Sequence, residues 1–396
     1  FGLSVARAVG VRGLVPAGLL AGVIALAVVV ADRCLAPARQ FLTYLAAGNL
    51  VFVGSFLFTS PTARLVSAEA GAGTWATEPV ELEGPVVVLV LDELPLTSLL
   101  RPDGSIDAAR VPRCAELAAR STWFRNASTE STETFTSVPS ILSGRRGGDD
   151  DVPSLRDYPD NLFTLVGDRY PVHRYETVTD LCPPDVSPPP ERGRLHRALA
   201  DAAVVYGHRV LPEPLGARLP PVDAAWGGFL GDASEAPPAS EELRELLDKG
   251  LEEWVKEDFG AVSGLRGVLA GIDGGPSLNV AHVLLPHQPW RLTPELVPAT
   301  HRSRTLDLPE SPDDPAFDRT VRELQQAHLL QVGAADTLVG ELIDHLDEVG
   351  AWDDALVVVV ADHGIDLSPP ELTRDLLPGN EDEVLRIPLF IKAPGQ

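Results

Sequence analysis

The apolar positions of this 396-residue chain follow two different rhythms. Over the first sixty residues they run almost unbroken: residues 13–31 and 41–58 contain no charged side chain. Each stretch approaches the roughly 20 residues that a helix needs to span a bilayer. A cleaved leader is not expected to come as a pair. The pattern therefore predicts a membrane segment over 1–60 with two transmembrane helices, at about 13–31 and 41–58. A buried helical hairpin is the competing reading, kept open by Asn49 and the many small residues. Arg7 and Arg12 precede the first stretch and Arg33 and Arg39 separate the two, so the positive-inside count is a tie and gives no orientation.

After a small, polar linker at 61–84, strands and helices alternate. Residues 86–91 form a continuous, largely β-branched run, which marks a buried parallel strand. The spacing predicts helices at 111–120, 135–142 and 161–168 and strands at 122–126, 171–175, 278–285, 356–361 and 387–392. A long helix over 318–349 places Leu324, His328, Val332, Leu338, Leu342 and Leu346 on one stripe. Such alternation predicts an α/β fold whose mostly parallel sheet is covered on both faces. Residues 183–260 are rich in loop formers, with an acidic helix near 241–258, and read as an insertion or cap.

Composition changes the picture in three places. A hydrophobic share of 44% and a charged share of 22% are ordinary for a folded protein. The net charge of −25 disfavours nucleic acid and anionic headgroups as broad partners. Met is absent and the chain opens on Phe1, which reads as an internal piece of a longer protein. The three cysteines, Cys34, Cys114 and Cys182, have no metal-ligand spacing. Cys114 and Cys182 could be bridged in an extracellular domain or remain two buried thiols.

In parallel sheets, ligands sit beyond the carboxyl ends of the strands. Three strand ends here carry chemistry: Asp92-Glu93, Asp362-His363-Gly364 and Pro286-His287-Gln288-Pro289-Trp290. Oxygen and imidazole together suit a divalent ion: Zn or Mn, with Mg or Ca if the shell is all oxygen. Taken singly, each is an ordinary turn residue or loop histidine. Residues 124–146 add a run of hydroxyls leading into a short helix, whose N-terminus could bind an anion and activate one of these hydroxyls. Ordinary N-capping by Thr132 or Thr134 explains the same run.

Together these stretches resemble the alkaline-phosphatase/sulfatase superfamily, with motifs similar to the phosphoethanolamine and phosphoglycerol transferases. The resemblance runs from about residue 85 to the end and implies an alkaline-phosphatase-like three-layer α/β/α sandwich. VVVLVLDE (86–93) resembles the opening strand, which assigns Asp92 to the metal, with Glu93 in place of the second Asp of sulfatases. VVVVADHG (357–364) resembles the strand that supplies Asp362 and His363. HVLLPHQPW (282–290) resembles the substrate loop, giving His287 and, more weakly, His282 and Trp290. Counting back from Leu142-Ser143-Gly144, as in sulfatases, and from Val138-Pro139, as in phosphoethanolamine transferases, reaches Thr134 both times.

The departures shape the expectation. Position 134 is not Cys, so a formylglycine cannot form, and Val138 stands where sulfatases carry Arg. The resemblance then implies Thr134 as nucleophile and metal ligand, one divalent ion, and phosphoryl transfer or phosphodiester hydrolysis through a phospho-Thr intermediate. The expected substrate is a lipid-linked or cell-envelope molecule and the catalytic domain (85–396) is expected outside the cytoplasm. Rival expectations are a sulfate or phosphate monoester hydrolase and a catalytically silent membrane binding module. Oligomeric state is left open.

Overall fold

The computed structural model describes residues 14–59, 80–148, 151–166, 169–183, 194–211, 255–297, 313–369 and 372–396, together with the single positions 186, 219 and 299. Two compact units divide the chain: residues 1–69 with 190–235, and residues 70–189 with 236–396.

In the first unit, α1 (Leu14–Cys34) and α2 (Ala36–Thr59) form a helical pair. They meet at Leu35 with a bend of 113°. The Arg39 side chain donates to the carbonyl oxygens of Asp32 (3.0 Å) and Arg33 (3.2 Å), covering carbonyls that the end of α1 leaves without helical partners. Both helices outrun the predicted spans, and α1 takes in Asp32 and Arg33. Among the described residues no single helix is long and apolar enough to cross a membrane; the pair passes that test only together. A further helix, α6 (Arg194–Val210), belongs to the same unit.

The second unit is mixed α/β. Its six-stranded sheet comprises β1 (Pro85–Asp92), β2 (Thr122–Trp123), β3 (Val172–Tyr175), β4 (Ser277–Pro286), β5 (Leu356–Ala361) and β6 (Leu389–Lys392). The order is β2-β6-β5-β1-β4-β3. The four strands β5, β1, β4 and β3 pair in parallel, and β6 and β2 close one edge antiparallel. The helices are α3 (Pro112–Arg120), α4 (Thr134–Ser143), α5 (Leu162–Val166), α7 (Val255–Leu269), α8 (Phe317–Glu348) and α9 (Glu381–Val384).

β1 is buried almost throughout, as an apolar run in the middle of a parallel sheet requires. Along α8, Leu324, Val332, Leu338, Leu342 and Leu346 are all buried, so the predicted stripe faces the core. Two strands are shorter than their sequence suggests. Only Thr122 and Trp123 of 122–126 pair as a strand, because the chain then turns, Ala127 N–H bonding back to Phe124 O. The last strand starts at Leu389 rather than 387, since Pro388 has no N–H to give a ladder. Of the predicted acidic helix at 241–258, residues before 255 lie outside the described set; α7 begins at Val255 and continues to Leu269. Most of the linker at 61–84 also lies outside it. Cys114 and Cys182 are both buried free thiols, and Cys34 is exposed.

Candidate metal centre and active site

The sheet order explains how distant residues meet. β1 lies between β5 and β4, so the carboxyl ends carrying Asp92, Asp362 and His287 are neighbours although the sequence separates them widely. The β1–β4 register is regular up to Leu91↔Val283 and then jumps to Asp92↔Pro286. Such an irregularity re-aims side chains at the rim of a sheet. Glu93 follows with a φ of 59°, left-handed territory that a non-glycine residue occupies at a cost. Its N–H donates to Asp362 Oδ1 (3.0 Å) and its Oε2 accepts from Gln288 N–H (3.2 Å), which hold the turn in place.

Asp92, Asp362 and His363 are fully buried, and one ligand atom from each lies within 4.8 Å of the others. Asp362 Oδ1 accepts from Glu93 N–H and His363 N–H (2.6 Å), but its Oδ2 and both Asp92 oxygens have no close hydrogen-bond donor. Buried carboxylate oxygens left this way are costly. His363 Nδ1 donates to Gly364 O (3.0 Å), which leaves Nε2 as the acceptor facing the cluster. That nitrogen stands 3.6 Å from Asp362 Oδ2 and 3.9 Å from Asp92 Oδ1. Two carboxylates and one imidazole around a common point are a donor set that fits a divalent cation.

The charges around the cluster pull its groups apart. Burial pushes the Asp92 carboxyl up, but the fields of His287, His282 and His363 outweigh it and hold the group down to about 2. Burial and the adjacent Asp92 charge raise Asp362 to about 6. His363 and His287 are raised: burial opposes their protonation, and the surrounding carboxylates more than offset it. A cation at the centre would relieve the repulsion between the two acids.

Thr134 opens α4, is buried, and places Oγ1 3.1 Å from His363 Nε2. The helix is ended by Gly144 at φ 66°, as its left-handed C-cap requires. Its amino end directs the positive end of the dipole at Thr134. Gly364 is packed so closely that a Cβ there would lie 2.1 Å from Glu383 O, so the Asp-His turn tolerates no side chain at that point.

The remaining predicted residues are placed differently. His287 Nε2 is 3.9 Å from Glu93 Oε1, at the rim of the cluster. His282, one of the weaker substrate candidates, instead stands behind Asp92, its Nε2 3.5 Å from Oδ2. Trp290 does not face the site: it is buried with Leu324, Ala327 and Ile365, edge-on to His328, and donates to Pro286 O (3.0 Å).

Sequence reasoning overlooked three groups. Gln331 on α8 is fully buried and clamps the loop after β4: Nε2 donates to His287 O (2.6 Å), and Oε1 accepts from Arg291 N–H (2.6 Å) and Leu292 N–H (3.1 Å). Thr177 contacts His282. The Arg374 guanidinium opposes protonation of His287 and so lies within its field. A polar residue breaking the apolar stripe of α8 was the one signal available for Gln331.

Comparison with known proteins bears on one part of this arrangement. The family model described as Sulfatase matches residues 264–396. Over that segment the chain is similar to the Sulfatase family. The segment carries β4, α8 and β5 and therefore His282, His287, Asp362 and His363, but neither Asp92 nor Thr134. The chain is 34% identical over 76 residues to the multifunctional alkaline phosphatase superfamily protein PehA of Trinickia caryophylli, covering 19% of this chain and 14% of that protein. It is 28% identical over 124 residues to an ulvan-active sulfatase of Formosa agariphila, covering 31% and 24%. The chain thus spans less than a quarter of the length of these curated relatives. Among solved structures, a phosphonate monoester hydrolase of Silicibacter pomeroyi aligns at a TM-score of 0.48 and 20% identity, over 79% of this chain and 68% of that one. The periplasmic domain of EptC from Escherichia coli aligns at 0.43 and 13%, over 81% and 77%.

Proposed function

We propose that this protein is a sulfatase-like, metal-dependent enzyme that transfers or hydrolyses a phosphoryl group through a covalent intermediate on Thr134. The observation that carries this reading is the 3.1 Å approach of Thr134 Oγ1, at the start of α4, to His363 Nε2 within the buried Asp92–Asp362–His363 cluster. Asp92, Asp362, His363 and Thr134 would hold one divalent ion, with Glu93 as a further oxygen donor. When bound, the ion would supply charge neutralisation at the phosphoryl oxygens and acidify the nearby hydroxyl. Thr134 Oγ1 releases its proton to solvent and forms the new bond to phosphorus, aided by the helix dipole. His287 gives a proton to the leaving oxygen as its bond to phosphorus breaks. Water or an acceptor hydroxyl then takes the phosphoryl group from Thr134 and restores the hydroxyl.

A phosphodiester of a lipid or cell-envelope molecule is the substrate class we favour. α1 and α2 expose large apolar side chains along their length, including Leu19, Val23, Leu26, Phe41, Tyr44, Val51 and Phe52, which supports anchorage of the chain at a membrane. The same reading puts the sheet domain, an alkaline-phosphatase-like three-layer sandwich, outside the cytoplasm. Hydrolysis of sulfate or phosphate monoesters is the second reading, favoured by the Sulfatase match over residues 264–396.

The test is turnover by the full chain, with divalent metal, on phosphodiester, phosphomonoester and sulfate ester substrates. Thr134→Ala is expected to reduce turnover on the order of 10³-fold or more, and quenched reactions of the parent should yield a peptide phosphorylated at Thr134. Full activity in folded Thr134→Ala would sink the mechanism. Turnover confined to sulfate esters would favour the second reading.

A further inference from the structure

Beside Asp92 lies a polar chain that the proposed reaction does not use. His282 is fully buried in β4, and its Nε2 is 3.5 Å from Asp92 Oδ2. Its Nδ1 is 2.7 Å from Thr177 Oγ1. Asp92 is an acceptor when ionised, so the arrangement is consistent in one tautomer: Thr177 O–H donates to Nδ1, which leaves the ring hydrogen on Nε2, 3.5 Å from the carboxylate.

The loop carrying Thr177 is itself fixed. Glu176, with a side chain 2% exposed, pairs with Arg174 (2.5 Å) and accepts from Thr179 Oγ1 (2.8 Å), Leu181 N–H (2.9 Å) and Cys182 N–H (3.3 Å). The turn after β3 is thus wound around one buried carboxylate. β3 pairs with β4 in parallel, with Tyr175 level with Ala281, so Thr177 is delivered to the face where His282 reaches Asp92.

Among the described His, Cys, Asp and Glu residues, the group that brings one donor atom each within 4.8 Å of one another is Asp92, Asp362 and His363, and His282 stands outside it. We infer that His282, locked by Thr177, is a positioning residue that orients the Asp92 carboxylate toward the metal. This rests on the metal centre proposed above. It gives a function to the β3 turn, which carries none of the ligands. Partners of this kind fix the direction of a ligand's lone pairs and typically change metal affinity by roughly 10–100-fold.

The experiment measures Zn²⁺ and Mn²⁺ affinity of the full chain by competition with a chelator. The variants are His282→Phe, His282→Gln, Thr177→Val and, as reference, Asp92→Asn. His282→Phe is expected to bind metal roughly 10–100-fold more weakly, and Thr177→Val by a smaller factor with an unchanged unfolding midpoint in the metal-free state. His282→Gln, which can still present an N–H to Asp92, should recover part of the loss; a purely packing role would give no such recovery. Parental affinity in His282→Phe and Thr177→Val, alongside loss in Asp92→Asn, overturns this inference and leaves the metal centre standing. Parental affinity in Asp92→Asn overturns the metal centre and the inference with it. Should His282→Phe fail to fold, Thr177→Val decides alone, parental affinity there counting against the proposal.

Discussion

Gln331 falls on the buried stripe of α8 beside Val332, and its spacing marks it as core; its amide nevertheless makes three backbone hydrogen bonds to the loop after β4. Replacing it by Leu leaves one carbonyl and two N–H groups buried without partners. We predict a destabilisation of about 3 kcal/mol in denaturant melts, with a loss of turnover as His287 drifts from Glu93. His328, also on α8, reports through pH. Burial alone depresses it to about 3, and Ser98 Oγ lies 3.0 Å from its Nε2. The fold holds the neutral form, so its stability is fully present above the unfolded value near 6.5 and is lost as pH falls from there toward 3. That amounts to about 1.4 kcal/mol per pH unit. Between pH 7 and pH 5 the parent should therefore lose about 2 kcal/mol more than His328→Leu in urea titrations. Equal losses in both proteins would remove His328 from the account.

Helix α3 begins without help from its own N-cap, Val111. Its cap comes from another element: Asp336 of α8 accepts from Arg113 N–H (3.1 Å) and Cys114 N–H (2.6 Å). The sequence offers no sign of this, because the capping residue lies more than two hundred positions away. Asp336→Ala should cost about 1–2 kcal/mol in thermal or chemical unfolding, and Asp336→Asn less, since an amide oxygen can still accept. Elements whose stabilisation is internal were legible. β1 and β5 appear within a residue or so of their predicted limits, as does α4 with its Gly144 stop. The last strand was legible too, two residues shorter than predicted, but the burial of its lysine was not. Lys392, a cation that a sequence reading would leave in solvent, is fully buried there, donating to the carbonyl oxygens of Trp352, Asp353 (2.7 Å) and Ala355 (3.1 Å). α1 and α2 carry the apolar composition predicted of them. Among the described residues neither helix is long and apolar enough to cross a membrane by itself, and the bent pair passes that test only together.

For the whole molecule, the decisive arrangement is the order β5-β1-β4 at the centre of the sheet, which sets Asp362-His363, Asp92 and His287 side by side. If these residues hold a divalent ion, saturating metal should stabilise the folded chain by about 2.7 kcal/mol at a hundred times the dissociation constant. The gain, read as an upward shift in melting temperature, should vanish in Asp92→Asn and in Asp362→Asn. A metal-independent melting temperature in the parent would count against the centre. The residue types of the candidate site could be read from the chain, because an acid or histidine directly after an apolar strand is a local pattern. So could the alternation of strands and helices, since the period of apolar positions is set by backbone geometry. What local pattern could not supply is adjacency. Strand order placed His282 behind Asp92 rather than in a substrate loop, turned Trp290 into the core, and recruited Thr177, Gln331 and Asp336 from elements that share no motif with their partners. Hydrogen bonds and ion fields act through a few ångströms of space, and only the packed sheet and its helices determine which residues fall within that range.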